Sequence, residues 1–126
     1  MSFENERIAI ENHFEEFWNE TPIAWENVAF DTPNNSAWVR LTILNGSSNY
    51  RTITGLKRHL GIIDVQIFTK KDTGSSVGRE YADTIGTIFE NKKFSDVVCD
   101  IASINTIGTD SIWHQINVSI PYWRDS

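Results

Sequence analysis

Cysteine, methionine and proline are scarce in this 126-residue chain, which has one Cys, one Met and three Pro. The single cysteine, Cys99, excludes an intramolecular disulfide and any multi-thiolate metal site within one chain. It also fits a protein of a reducing compartment. No apolar run approaches the ~20 residues that a membrane-spanning helix needs. Residues 1–6 are acidic and hold no apolar stretch, so no secretory leader is expected there. Basic residues are in deficit: 11 Lys+Arg against 17 Asp+Glu give a formal charge of −6. They fall in scattered pairs (Lys57-Arg58, Lys70-Lys71, Lys92-Lys93) rather than the concentrated stripe of a nucleic-acid reader. Sequence-specific DNA binding is therefore not expected. Internal repeats, low-complexity tracts and linkers are absent as well.

What is present suits a packed core. Forty per cent of the chain is apolar and 12% aromatic, and the length fits one domain spanning residues 1–126. Residues 1–20 carry six Glu and one Arg, most of the net charge. Within them Phe3, Ile10, Phe14, Phe17 and Trp18 fall on one stripe at the helical period, while Glu4, Glu6, Glu15 and Glu16 point elsewhere. Ser2 caps this predicted helix and Thr21-Pro22 ends it. A short strand and a polar loop follow through residue 36. Ala37, Val39, Leu41 and Ile43 then alternate with Trp38, Arg40 and Thr42, the period of a half-buried strand. Asn45-Gly46-Ser47-Ser48-Asn49 reads as a turn, with extended chain resuming over 50–54.

A stronger strand is predicted over 61–69, with Ile63, Val65 and Ile67 on one face. A second helix follows over 76–91, its apolar face formed by Val77, Tyr81, Ile85, Ile88 and Phe89, with Lys92-Lys93 at its negative end. Two strands, 97–104 and 113–122, complete the order. The pattern reads as an α+β fold, a single mixed or antiparallel sheet with two amphipathic helices packed on one face.

Two motifs resemble catalytic signatures. Asp72-Thr73-Gly74-Ser75-Ser76 spells the aspartic-protease sequence, whose chemistry needs two aspartates sharing a proton in a dry, symmetric site. Here Lys70-Lys71 precede it and an amphipathic helix follows, an arrangement that favours an ionised Asp72. Gly74-Ser75-Ser76-Val77-Gly78 also matches G-x-S-x-G, yet six loop residues would separate strand from nucleophile. One small-residue loop satisfying two contradictory motifs is better read as a turn and helix cap. His13, His59 and His114 share no metal-ligand spacing. His13 is placed on the helix surface, His59 at a basic strand end and His114 on the core parity. No phosphate-cradling glycine pattern occurs.

Tryptophan placement is more informative. Trp18 and Trp25 belong to the core or its edge. Trp38 and Trp113 have the parity of the polar strand faces, and Trp123 follows Pro121 near the C-terminus beside Tyr122 and Arg124. Aromatics so placed mark an association surface.

The order of residues then resembles a known family. Residues 61–68 (Gly-Ile-Ile-Asp-Val-Gln-Ile-Phe) precede a Thr-Gly loop and a helix with Ala82-Asp83-Thr84-Ile85 and Ile88-Phe89. The chain closes on Trp113-His114-Gln115-Ile116-Asn117-Val118-Ser119-Ile120-Pro121-Tyr122-Trp123. Over about residues 5–124 this is similar to the small tail terminator (tail completion) proteins of long-tailed phages. The resemblance implies a structural virion subunit, made in the host bacterial cytoplasm, with no enzymatic activity and no cofactor. It would assemble as a hexameric ring at the head-proximal end of the tail, bound to the tail tube protein and to a head-completion or connector protein. DNA would pass through the lumen without specific binding, and no membrane is involved. Expected contact residues are Trp38, Arg40, Lys57, Arg58, Trp113, Tyr122, Trp123 and Arg124. Two other classes stay open: a small hydrolase using the Asp72–Ser76 loop, and a monomeric acidic binding or immunity-type module.

Overall fold

The computed structural model describes residues 2–33, 36–51, 55–72, 76–110 and 112–125. Two helices and seven strands follow one another as α1 (Phe3–Phe17), β1 (Ile23–Ala24), β2 (Trp38–Tyr50), β3 (Lys57–Lys70), α2 (Ser76–Phe89), β4 (Lys93–Phe94), β5 (Val97–Cys99), β6 (Ser103–Thr109) and β7 (Trp113–Asp125). All the strands join one sheet in the order β1-β2-β3-β7-β5-β4, and β6 also pairs with β7. The β1–β2 pair is parallel and the others antiparallel. The fold is α+β, as the sequence pattern predicts.

Alternation sets the two faces of the sheet. Directly paired residues share a face, so Leu41, Val65 and Val118 form one row and Val39, Ile67 and Ile116 another. Both helices close over these rows. Ile10 and Phe14 of α1, Trp18 at its C-cap, and Ile85 and Phe89 of α2 join Val39, Leu41, Val65, Ile67 and Val118 in one buried cluster. The Phe14 and Phe89 rings meet at 5.7 Å between centroids, which ties the helices to each other. The Ser2 hydroxyl accepts the Asn5 N–H at 3.0 Å, the expected cap on α1. Phe3 and Phe17, assigned to the apolar stripe, lie at its margins and are about half exposed.

Several predicted boundaries change, among them the start of β3, at Lys57 rather than 61, and the end of α2, at Phe89 rather than 91. Residues 45–49 are no turn: β2 runs through them with a register shift between Asn45 and Ser48. A small-residue run permits a bulge as readily as a reversal. The chain reverses further on, where Arg51 N–H bonds to Leu56 O at 2.6 Å; residues 52–54 lie outside the described set. The 97–104 strand splits at Asp100 into β5 and β6, which lie end to end along the same side of β7. Finally, β7 continues past Tyr122 to Asp125. Pro121 O accepts the Asp100 N–H at 2.8 Å. The proline nitrogen therefore faces the gap between β5 and β6, where no ladder donor is needed.

Gly61 marks the closest packing in the sheet. A Cβ at this position would lie 2.5 Å from the Tyr122 ring, its cross-strand neighbour. Gly61→Ala is expected to destabilise the fold by about 1–3 kcal/mol through overpacking. Urea denaturation should show this as a lower midpoint with an unchanged slope.

Candidate assembly surface

Tyr122, Trp123 and Arg124, adjacent in sequence, are expected to form one contact group. Alternation separates them. Tyr122 and Arg124 face the helices, 2% and 1% exposed, and Trp123 faces the other way. Arg124 Nε donates to Glu6 Oε1 at 2.7 Å, and the Tyr122 hydroxyl donates to Glu6 Oε2 at 2.8 Å. The Arg124 guanidinium also lies 4.9 Å from the Phe3 ring centroid. Glu6, read from the sequence as a surface charge, is therefore buried and anchors α1 to the last strand. Burial and the Glu6 carboxylate together push the Tyr122 phenol well above its usual value, so it stays a donor. Both residues leave the set of available contact groups.

The signal for this clamp was in the sequence. Glu6, Ile10 and Phe14 fall on one helical stripe, and Arg124 shares parity with Ile116, Val118, Ile120 and Tyr122. A charge on each of two core stripes marks a buried pair.

His59 lies beside the clamp, opposite Arg124 in the β3–β7 register. It lies at the basic start of β3, as expected, and is buried there, with Nδ1 2.6 Å from the Ser48 hydroxyl. His13 is half-buried rather than on the surface. It stacks on Phe94 at 4.0 Å and places Nε2 2.8 Å from Ile88 O. His114 engages Thr109 through Nδ1 at 2.8 Å.

The outer face of the sheet carries Trp38, Arg40, Arg58, Trp113 and Trp123 of the remaining expected contact residues, while Lys57 has the opposite parity. At one end Trp38 stacks on Phe68 at 4.1 Å and meets Trp113 edge-on at 6.1 Å. Trp38 has the expected outward parity, but Phe30 and Phe68 cover it and only 5% remains exposed. Arg40 lies over Trp38 at 5.2 Å and Lys70 over Trp113 at 5.6 Å. These cations shield the aromatic cluster while staying hydrated themselves.

Polar groups fill the middle of the face. Asp64 accepts from Gln66 and from Ser119, both at 3.3 Å. Beyond them, Leu44, Ile62 and Pro121 stand side by side across β2, β3 and β7, and all three are exposed. Leu60 and Trp123 form the next row. Arg58 lies 3.6 Å over the Trp123 ring and forms a two-pronged pair with Asp125 at 2.9 and 3.1 Å. That pair holds the Asp125 carboxyl below its usual value. Lys57 is exposed at the same end.

Only part of the segment that spells the two motifs is described. Asp72 has a left-handed φ of 70°, Ser76 opens α2, and residues 73–75 lie outside the described set. No group of three or more His, Cys, Asp or Glu suited to a metal ion occurs among the described residues. Cys99 is buried, and burial pushes its thiol up to about 12.

A small α+β subunit with a partly apolar, partly cationic sheet face is the class these features define. The chain belongs to the phage tail terminator family: the family model "Phage tail terminator protein" matches residues 7–122. It is therefore a phage tail component of a structural family. No curated protein matches it. A solved structure that bears no functional name shares the fold, with a TM-score of 0.77 and 18% identity over 98% of this chain and 96% of the other. No helix among the described residues is long and apolar enough to cross a membrane.

Two outcomes test the clamp. Glu6→Gln keeps the shape but removes the charge that faces buried Arg124, and should destabilise the fold by about 3–5 kcal/mol. Replacing both ends together, Glu6→Leu with Arg124→Met, should recover much of that loss in the same urea titration. Burial, with Arg124 adding to it, lowers the His59 pKa from 6.5. The unfolded chain then binds the proton more readily, so stability is full above about pH 6.5 and falls as the pH drops below it. His59→Gln should flatten that slope between about pH 7 and pH 5.

Proposed function

We propose that the protein closes as a hexameric ring on the head-proximal end of the tail tube, halts tube growth and offers the docking surface for a head-completion protein. The family match over residues 7–122 carries this reading. The exposed Leu44–Ile62–Pro121 row supports it, because a subunit destined for assembly keeps apolar surface that a solitary protein would cover. Arg40, Lys57, Arg58, Trp113 and Trp123 are the expected residues that remain available around this face. They would meet a neighbouring subunit, the tail tube protein or the connector. DNA crosses the lumen without specific binding, consistent with six acidic subunits of charge −6 each. The free protein is expected to stay monomeric until it meets a tube, since a ring closed early would cap tubes too soon.

Chemical cross-linking on purified tails should give a ladder that ends at six subunits; a ladder ending at two would reject the ring. On the same tails, Trp123→Ala should weaken capping about thirtyfold, the effect of losing a hot spot of ~2 kcal/mol. Its melting temperature should stay within a few degrees, because Trp123 lies outside the buried cluster.

A further inference from the structure

The two ends of the sheet are left open in a complementary way. On one side β6 bonds to β7, from Ser103↔Ser119 to Thr109↔His114. No described strand lies along its other side. Six of its seven residues are exposed. Folded proteins protect such an edge with charge, proline or a covering element. The β6 sequence Ser-Ile-Asn-Thr-Ile-Gly-Thr contains neither charge nor proline. Its one irregularity, the register shift between Thr106 and Gly108, turns out Ile107 at 52% exposure. Ile101 and Ile112, which flank the strand, are 64% and 50% exposed. An open ladder lined with isoleucines is built to be paired.

The second open edge is the far half of β2. Its partner β1 reaches only Val39 and Arg40, and the Glu26 carboxylate then takes the Ile43 N–H at 3.2 Å. Residues 44–50 are exposed throughout, with no described strand beside their outer edge. Their sequence, Leu-Asn-Gly-Ser-Ser-Asn-Tyr, matches β6 in length and likewise lacks charge and proline.

Charge favours another copy of this chain as the occupant. Copies carrying −6 each repel one another, and contact is least opposed where neither surface is charged. Strand direction agrees. β2, β3, β7 and β6 alternate in sense, so a like-oriented neighbour offers its β2 antiparallel to β6, the better pairing sense. We propose that β6 of one copy pairs with residues 44–50 of β2 in the next, so that the sheets join edge to edge around the ring; the proposal rests on the ring reading above. The contact is heterologous, using two different surfaces of each copy, and such contacts do not stop at two but form a ring where the rotation between copies closes.

Two exposed positions test it, Ser47 on β2 and Asn105 on β6. The native Cys99 is buried and can remain. Adjacent strands lie ~4.8 Å apart, within reach of a short bis-maleimide even if the register shifts by a residue. Tails assembled with the Ser47→Cys/Asn105→Cys double variant should yield a ladder of linked subunits, and tails with either single variant only monomers. Dimers from Asn105→Cys alone would overturn the proposal in favour of a two-fold β6–β6 contact. Monomers from the double variant on tails that carry the protein would overturn it while leaving the ring intact. Tails that carry no protein at all would overturn the ring reading and this proposal with it. A second variant, Asn105→Lys/Ile107→Lys, should abolish ring formation while the far-UV circular dichroism and melting temperature hold. A complete ring from that variant would overturn the proposal.

Discussion

The buried Glu6 carboxylate, shared between Arg124 and Tyr122, is the interaction on which the rest of the architecture depends. It joins the first turns of α1 to the end of the last strand, residues far apart in the chain. A lone carboxylate among these apolar side chains would be strongly disfavoured, and so would a lone guanidinium. Satisfied together, they fix how α1 lies across the sheet. With α1 fixed, Ile10, Phe14 and Trp18 reach the rows presented by β2, β3 and β7, and Phe14 reaches Phe89 of α2. The same end of the molecule needs Gly61, because the Tyr122 ring occupies the space of a side chain.

This arrangement concentrates stability on one face of the sheet and frees the other. The helix side is a closed core with a buried ion pair at its edge. The outer side holds a stacked aromatic cluster under cations, then a polar band, then exposed aliphatic and aromatic rows beside Arg58. Such a surface suits contact with other proteins, in keeping with a family whose members are tail components. Helix α1 carries five Glu against one Arg, Arg7, which bridges Glu4 and Glu11. Most of the net charge therefore lies on the helix layer rather than on the sheet edges.

Much of the fold was legible in the sequence because its signals are periodic. Val39 and Leu41, Ile63 to Ile67, and Ile116 to Ile120 alternate cleanly, and Ile85, Ile88 and Phe89 recur at the helical spacing. These patterns specify the core faces directly. The misread segments are those where local composition is ambiguous. Asn45–Asn49 has the residues of a turn but the long-range pairing of a bulged strand. The predicted end of β7 falls at Tyr122, although the parity that buries Ile116, Val118, Ile120 and Tyr122 continues to Arg124.

The contact surface was only half legible. Parity placed Trp38 and Trp113 on the outer face, but it could not reveal that Phe30 and Phe68 would cover Trp38. Proximity in sequence groups Tyr122 and Arg124 with Trp123, although alternation in a continuing strand sends them to the opposite face. The exposed Leu44–Ile62–Pro121 row depends on the pairing of three strands, which no single segment encodes.

As proposed, this protein ends the tail tube by capping it. Electron micrographs of polymerising tail tube protein, with and without the purified chain, test it most directly. Capping predicts that the added protein appears as a ring at one end of each tube and that tubes stop elongating once it is bound. Tubes that continue to lengthen at the same rate, with the protein scattered along their walls or left in solution, would contradict it.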